Sequence, residues 1–206
     1  TIRRALTLQL HGRYDEALQL LEPLRPVVDP PTGAADEFNA PQVYNGLGGT
    51  LSGLGRHDEA VAAIQRGIVL RDRARPHTPY AATLRETLVR ALIAAGRLTD
   101  AQAAWADVDR VHRAYGAQPG DRRRERLRAL EVRLQLAQGD LASAQRGAAG
   151  LGSDGELSSR PSLRALDAAL LRAEVELAAG QPLAARPRLA AVREVLSRDG
   201  LAAAMP

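Results

Sequence analysis

Few of the residues that could do chemistry in this 206-residue chain are spaced to do it. The four histidines, His11, His57, His77 and His112, are scattered, and no HExxH or similar ligand spacing joins them to carboxylates, so no metal site is expected. Cysteine is absent, which excludes thiolate nucleophiles, disulfides and cysteine-bound metals and suits a reducing compartment. No GxSxG elbow, Walker loop or kinase signature occurs. Gly46-Leu47-Gly48-Gly49, with Gly53 and Gly55, superficially suggests a phosphate loop but lacks the following lysine and any preceding strand. A thin helix face that admits a neighbour is the better reading of these glycines. The chain is therefore expected to be no enzyme and to carry no cofactor.

Charge points the same way. Every basic residue is Arg, and 28 of them against 24 acids give a formal net charge of +4. Acids and bases alternate along most of the chain and aromatics are 3%, which argues against a nucleic-acid partner. The densest basic run, Arg122-Arg123-Arg124-Glu125-Arg126-Leu127-Arg128, reads as a solvated helix start after Pro119-Gly120-Asp121. Three arginines at the positive end of a helix dipole are a mild misfit there, which keeps a phosphate contact open as the alternative. No apolar run approaches the roughly 18 residues a membrane-spanning helix needs, and no signal peptide is recognisable, so a soluble, cytoplasmic chain is expected.

The elements that must position these residues are helices. Ala and Leu dominate the 45% hydrophobic fraction, which favours helices packed closely through small side chains. Self-similarity then organises the chain. Five segments align around a glycine without gaps: HGRYDEA, LGRHDEA, AGRLTDA, QGDLASA and AGQPLAA. Gly12, Gly55, Gly96, Gly139 and Gly180 are separated by 43, 41, 43 and 41 residues. Five residues after each stands an alanine, from Ala17 to Ala185, and nine after each an apolar residue, Leu21, Ile64, Trp105, Ala148 or Leu189. Seven before each is a smaller one, Ala5, Gly48, Val89, Val132 or Ala173. A glycine that ends one helix in the left-handed region, with small residues where two helices cross, describes a helical hairpin. Asp15, Glu16, Asp58, Glu59 and Asp100 fall in first turns, where carboxylates meet the positive helix end.

The expected helix pairs are 1–11 with 14–28, 40–54 with 57–74, 79–95 with 98–115, 121–138 with 140–150, and 161–179 with 183–198. Connections are expected at 29–38, 116–120 and 151–160. Pro187 is expected to disturb the last helix unless that helix starts late. These boundaries make one domain over 1–206, with repeats at about 1–38, 39–78, 79–120, 121–160 and 161–198 and a tail at 199–206.

Tyr44, Leu47, Gly48, Leu51, Gly55, His57, Ala60 and Ile64 fall at the spacing of the tetratricopeptide repeat (TPR) motif, with His57 where an aromatic is usual. The chain resembles that family over essentially its whole length, and its long period is most similar to the kinesin-light-chain variety. The Arg75-Pro76-His77-Thr78-Pro79-Tyr80 stretch is similar to the linkers of that variety. The fit weakens toward the end, with Glu131 and Arg172 where the second and third copies have Leu47 and Leu88. The resemblance implies an all-α superhelix, or solenoid, of five hairpins whose first helices line a concave groove. Carried over copy by copy, the groove positions are Gln42, Asn45, Glu86, Arg90, Arg126, Arg133 and Glu174. In that role Asn45 would pin an extended backbone, and Arg90, Arg126 and Arg133 would grip carboxylates or phosphate.

The resemblance implies a protein-interaction scaffold binding a protein or peptide partner, as the repeat region of a larger bacterial signalling or transcription-regulatory protein. The all-Arg, Ala-rich composition adds to the expectation of a bacterial source, and the helical start at Thr1 to the expectation of a fragment. Two alternatives stand beside it. One is a self-assembly module forming a homo-oligomer by end-to-end stacking; the other is a ligand-sensing region serving a kinase or DNA-binding domain.

Overall fold

Five glycines with φ between +69° and +78° set the architecture: Gly12, Gly55, Gly96, Gly139 and Gly180. At each, the following residue donates its N–H to the carbonyl five residues earlier: Arg13 to Leu8, Arg56 to Leu51, Arg97 to Leu92, Asp140 to Gln135 and Gln181 to Glu176. That bond closes a Schellman motif and turns the chain into the next helix within three residues. The computed structural model describes residues 1–76, 78–114, 122–152, 157 and 162–198, the side chains of 122–124, 163 and 198 excepted. His77, the connection at 116–120, most of that at 151–160 and the tail at 199–206 lie outside the described residues.

The helices are α1 (Ile2–Leu10), α2 (Tyr14–Leu21), α3 (Arg25–Val28), α4 (Ala34–Gly53), α5 (His57–Ala74), α6 (Pro79–Ala94), α7 (Leu98–Ala114), α8 (Arg122–Ala137), α9 (Leu141–Ala149), α10 (Leu163–Ala178) and α11 (Pro182–Arg198). There is no strand among the described residues. The chain forms two compact units, Thr1–Gln118 and Pro119–Pro206.

Three expectations need correction. The second helix of the first hairpin is not continuous over 14–28. A 3-10 turn at Glu22–Leu24 separates α2 from α3, because Pro23 and Pro26 have no N–H to continue the ladder. Helix α4 begins at Ala34, six residues earlier than expected, and holds Pro41 inside it. Its first turn carries Asp36 and Glu37, and Asp36 accepts from both the backbone N–H (3.1 Å) and the hydroxyl (2.7 Å) of Thr32. Those bonds, with acids at the positive end, start a helix that a proline eight residues in would otherwise discourage. Pro187 likewise sits inside an uninterrupted α11, which Pro182 opens at its first position.

In the first unit, α4 lies against α5 and α6 against α7, and the crossings rest on small residues. An added Cβ at Gly48 would stand 2.2 Å from Ile64, and one at Gly53 2.4 Å from Tyr14. Leu21, Val43, Leu47, Ile64, Leu84, Val89 and Val108 fill the interior. Trp105, the third copy's counterpart of Ile64, is half-buried, and its buried Nε1 makes no hydrogen bond. In the second unit, one cluster joins Val132, Ala148, Leu151, Leu171 and Val175. A second joins Leu157, Leu166, Val192 and Val195.

Candidate functional site

In the first unit α1 touches α4 and α4 touches α6, so the first helices of three hairpins stand side by side. Phe38, Gln42, Asn45 and Gly49 recur along α4 at the spacing of one helical face. Phe38 is 61% exposed, and Leu6 on α1 is 41% exposed. Gln9 of α1 donates to the Gly46 carbonyl at 2.7 Å and to the Thr50 hydroxyl at 2.5 Å, which fixes α1 on α4 beside Gly49. Asn45 is half-buried, and its Oδ1 is buried without a hydrogen-bond partner. Gln42 turns back on its own helix, its amide donating to the Phe38 carbonyl. Arg90 is exposed on α6 and donates to Thr87 at 3.4 Å.

Glu86 departs from the groove expectation. It is 3% exposed, with Oε1 3.0 Å from His112 Nε2 on α7, so it faces the inside of its own hairpin. The offset from Gly96 is the same as that of Asn45 from Gly55. What differs is a histidine on the paired helix that draws the carboxylate inward.

In the second unit the first helices are tied by charge. Arg133 on α8 pairs with Asp167 on α10 at 2.5 Å, and Arg164 on α10 pairs with Glu125 on α8 at 2.6 Å. Arg126 and Glu174 are exposed in that unit. Of the basic run, the side chains of Arg122, Arg123 and Arg124 lie outside the described residues, while Arg128 reaches the Gly150 carbonyl at 3.4 Å.

Several polar groupings are not evident from the sequence. Asp29, just after α3, accepts both Nε (2.7 Å) and Nη2 of Arg66 on α5 and the Tyr44 hydroxyl (2.6 Å) from α4. The Arg66 guanidinium, then the Tyr44 hydroxyl, hold the Asp29 carboxyl below its ordinary range against the opposing effect of burial. Burial first, and Asp29 second, push the Tyr44 phenol up. The side chain of Arg85 on α6 is 8% exposed and joins Asp72 of α5 (2.6 Å) to Asp107 of α7, its Nη1 also donating to the Ala81 carbonyl. Burial raises the Asp107 carboxyl, but its bonds to Arg85 and Arg110 outweigh this and hold it low. The periodic residues mark hairpins. These partners are brought together only when hairpins stack.

On the side of α4 away from Asn45 lies a cleft of about 380 Å³. Tyr44, Leu47 and Leu51 form its floor, Ala62 and Ala63 of α5 a thin wall, and Glu22, Arg25, Arg56, Glu59 and Arg66 its charged rim. The rim is self-paired: Arg25 to Glu22 at 2.9 Å, and Arg56 to Glu59 through two bonds of 2.7 Å. Arg25 also lies over the Tyr44 ring, 6.0 Å from its centre. Among the described residues no cluster of three His, Cys, Asp or Glu could hold a metal ion. No helix among them is long and apolar enough to cross a membrane.

No family model matches the chain, and no curated protein matches it. Solved structures do. A variant crystal structure of a Podosopora anserina putative kinesin light chain with nearly identical TPR-like repeats superposes with a TM-score of 0.65 at 19% identity, covering 97% of this chain and 94% of that one. A second structure of that putative kinesin light chain gives a TM-score of 0.63 at 19% identity, covering 96% and 94%. At this identity the likeness is one of fold, and with the five glycine-hinged hairpins it makes this chain an all-α protein with the fold of the TPR-like repeat family.

Proposed function

We propose that the chain is a protein-interaction scaffold, and that it holds an extended peptide segment of a partner across the first-helix face of its first unit. The observation that carries this reading is the surface formed by α1, α4 and α6. There, Leu6 is exposed on α1 and Arg90 on α6, and between these helices α4 presents exposed Phe38, the amides of Gln42 and Asn45 and the side-chain-free Gly49 along one face. Amides beside a glycine notch suit a passing backbone, apolar groups at the edge add contact area, and an arginine favours an acidic residue. An Asn45 oxygen buried without a partner is a polar group that a bound N–H would satisfy after a small side-chain rotation. The second unit supports this less, since Arg133 is engaged by Asp167. In this reading the chain is the repeat region of a larger bacterial regulatory protein, for which the all-Arg, Ala-rich composition is the support.

The test is selection of peptides from a displayed random library on the intact protein, followed by affinities for Asn45→Ala and Arg90→Glu variants of unchanged helicity. Enriched peptides should share an acidic residue and lose about tenfold or more in affinity to each variant, the worth of one charge-assisted or backbone-directed contact. A library that yields no enrichment, or peptides that bind both variants as well as the parent, overturns the assignment.

A further inference from the structure

The cleft over Tyr44 is separate from the surface just described, and its lining has a specific chemistry. Its floor is apolar and aromatic, its wall is thinned by Ala62 and Ala63, and its rim places acids and bases on both sides. Glu22 and Arg25 come from the broken second helix of the first hairpin, and Arg56 and Glu59 from the start of α5. The two pairs also act on each other: Arg56 is held up chiefly by Glu59 and further by Glu22, and Glu59 is held down chiefly by Arg56 and further by Arg25. Arg66 adds a third base, neutralised by Asp29. The mouth is thus close to electroneutral but strongly bipolar, with carboxylates and guanidiniums a few ångströms apart above an apolar pit.

We propose that this cleft binds a free apolar amino acid as its zwitterion. The α-carboxylate lies on Arg25 and Arg56, the α-ammonium on Glu22 and Glu59, and the side chain rests over Tyr44 against Ala62 and Ala63. Charge complementarity carries the choice. A lone anion meets Glu22 and Glu59 as well as the arginines, and a lone cation meets the reverse, whereas a zwitterion matches both signs. The guanidiniums retain donors for it: Glu59 takes Nε and Nη2 of Arg56, and Asp29 takes those of Arg66, leaving Nη1 outside each bidentate pair. The rim pairs yield readily, because Arg25, Glu22, Arg56 and Glu59 are all close to half-exposed and solvent screens such surface pairs. The volume falls in the range of small-molecule sites, about 300–1,000 Å³, and accommodates a leucine or phenylalanine.

The experiment is calorimetric titration of the whole chain with L-phenylalanine and L-leucine, alongside phenylalaninamide, 3-phenylpropionate and glycine. These remove the carboxylate, the ammonium and the side chain in turn. Amide chemical shifts of Ala62 and Ala63 locate the site. Saturable binding of phenylalanine or leucine is expected, with about tenfold or greater weakening for each truncated analogue and for Arg56→Gln, and loss in Ala63→Phe, which fills the cleft. Because Ala63 is only half-buried on α5, that variant keeps the hairpin core intact, and thermal melts confirm it. Three results overturn the proposal: no saturation by about 10 mM, analogues that bind as well as the amino acid, or binding unchanged in Ala63→Phe.

Discussion

Arg85 shows at the level of one residue how this molecule uses charge. An arginine whose side chain is 8% exposed between Asp72 and Asp107 is held by the second helices of two successive hairpins, so it fixes how they stack. Arg85→Met keeps most of the volume but leaves two carboxylates facing each other with only Arg110 to offset them. We expect a loss of about 2–3 kcal/mol, read from the urea midpoint at constant m-value. Asp29 makes a pH prediction. Its carboxyl is held below the ordinary 3.8 in the folded state, so its contribution is fully present above that value. It is lost as pH falls through the lowered folded value, and Asp107 acts in the same sense. Unfolding free energy should therefore drop between about pH 5 and pH 2, and Asp29→Asn should flatten that slope while costing about 1–2 kcal/mol at neutral pH. A slope unchanged by Asp29→Asn would show that other acids govern acid unfolding.

At the scale of the element, the hairpin is one device used five times. The carboxylates at the starts of the second helices do more than meet the helix dipole: Arg13 pairs with Glu16, Arg56 with Glu59 and Arg97 with Asp100, each spanning the N-cap and third helical positions. The fourth copy replaces the pair with Asp140, whose side chain accepts from the Ser143 N–H at 3.0 Å. Gly55 has φ +74°, where a Cβ is strained although the space around it is open, so Gly55→Ala should cost about 1–2 kcal/mol by denaturant titration. Gly48 is limited by space instead. Gly48→Ala should cost about 1–3 kcal/mol through its clash with Ile64, whose Cγ1 is the nearest atom, and Gly48→Ala with Ile64→Ala should lose less than the two single changes added together. Strict additivity would mean that the helices shift apart and do not pack locally.

At the scale of the molecule, the chain is two compact units, each with its own buried residues: Ala81, Ala82 and Val111 cluster in the first, and two clusters lie in the second. Repeat proteins draw stability from each hairpin and its nearest neighbours. Residues 1–118 expressed alone should therefore unfold cooperatively, with helical circular dichroism close to that of these residues in the whole chain. A non-cooperative melt of 1–118 would show that the first unit depends on residues 119–206 for its stability.

The sequence by itself determined the hinge glycines, the pairing of helices and the all-α repeat fold. Those features rest on local conformation and on a period of about 42 residues, both carried by residue type alone. Most helix ends agree within a residue or two for the same reason, while the break at Pro23 and Pro26 is a local effect of proline that the repeat period does not carry. Only the tertiary structure decided which polar residues face inward. Asn45 and Glu86 share one offset, yet His112 buries the second, and Asp29 meets Tyr44 and Arg66 from 15 and 37 residues away. Side-chain direction at a repeated position depends on the neighbour that hairpin stacking supplies, and periodicity along one chain does not encode that neighbour.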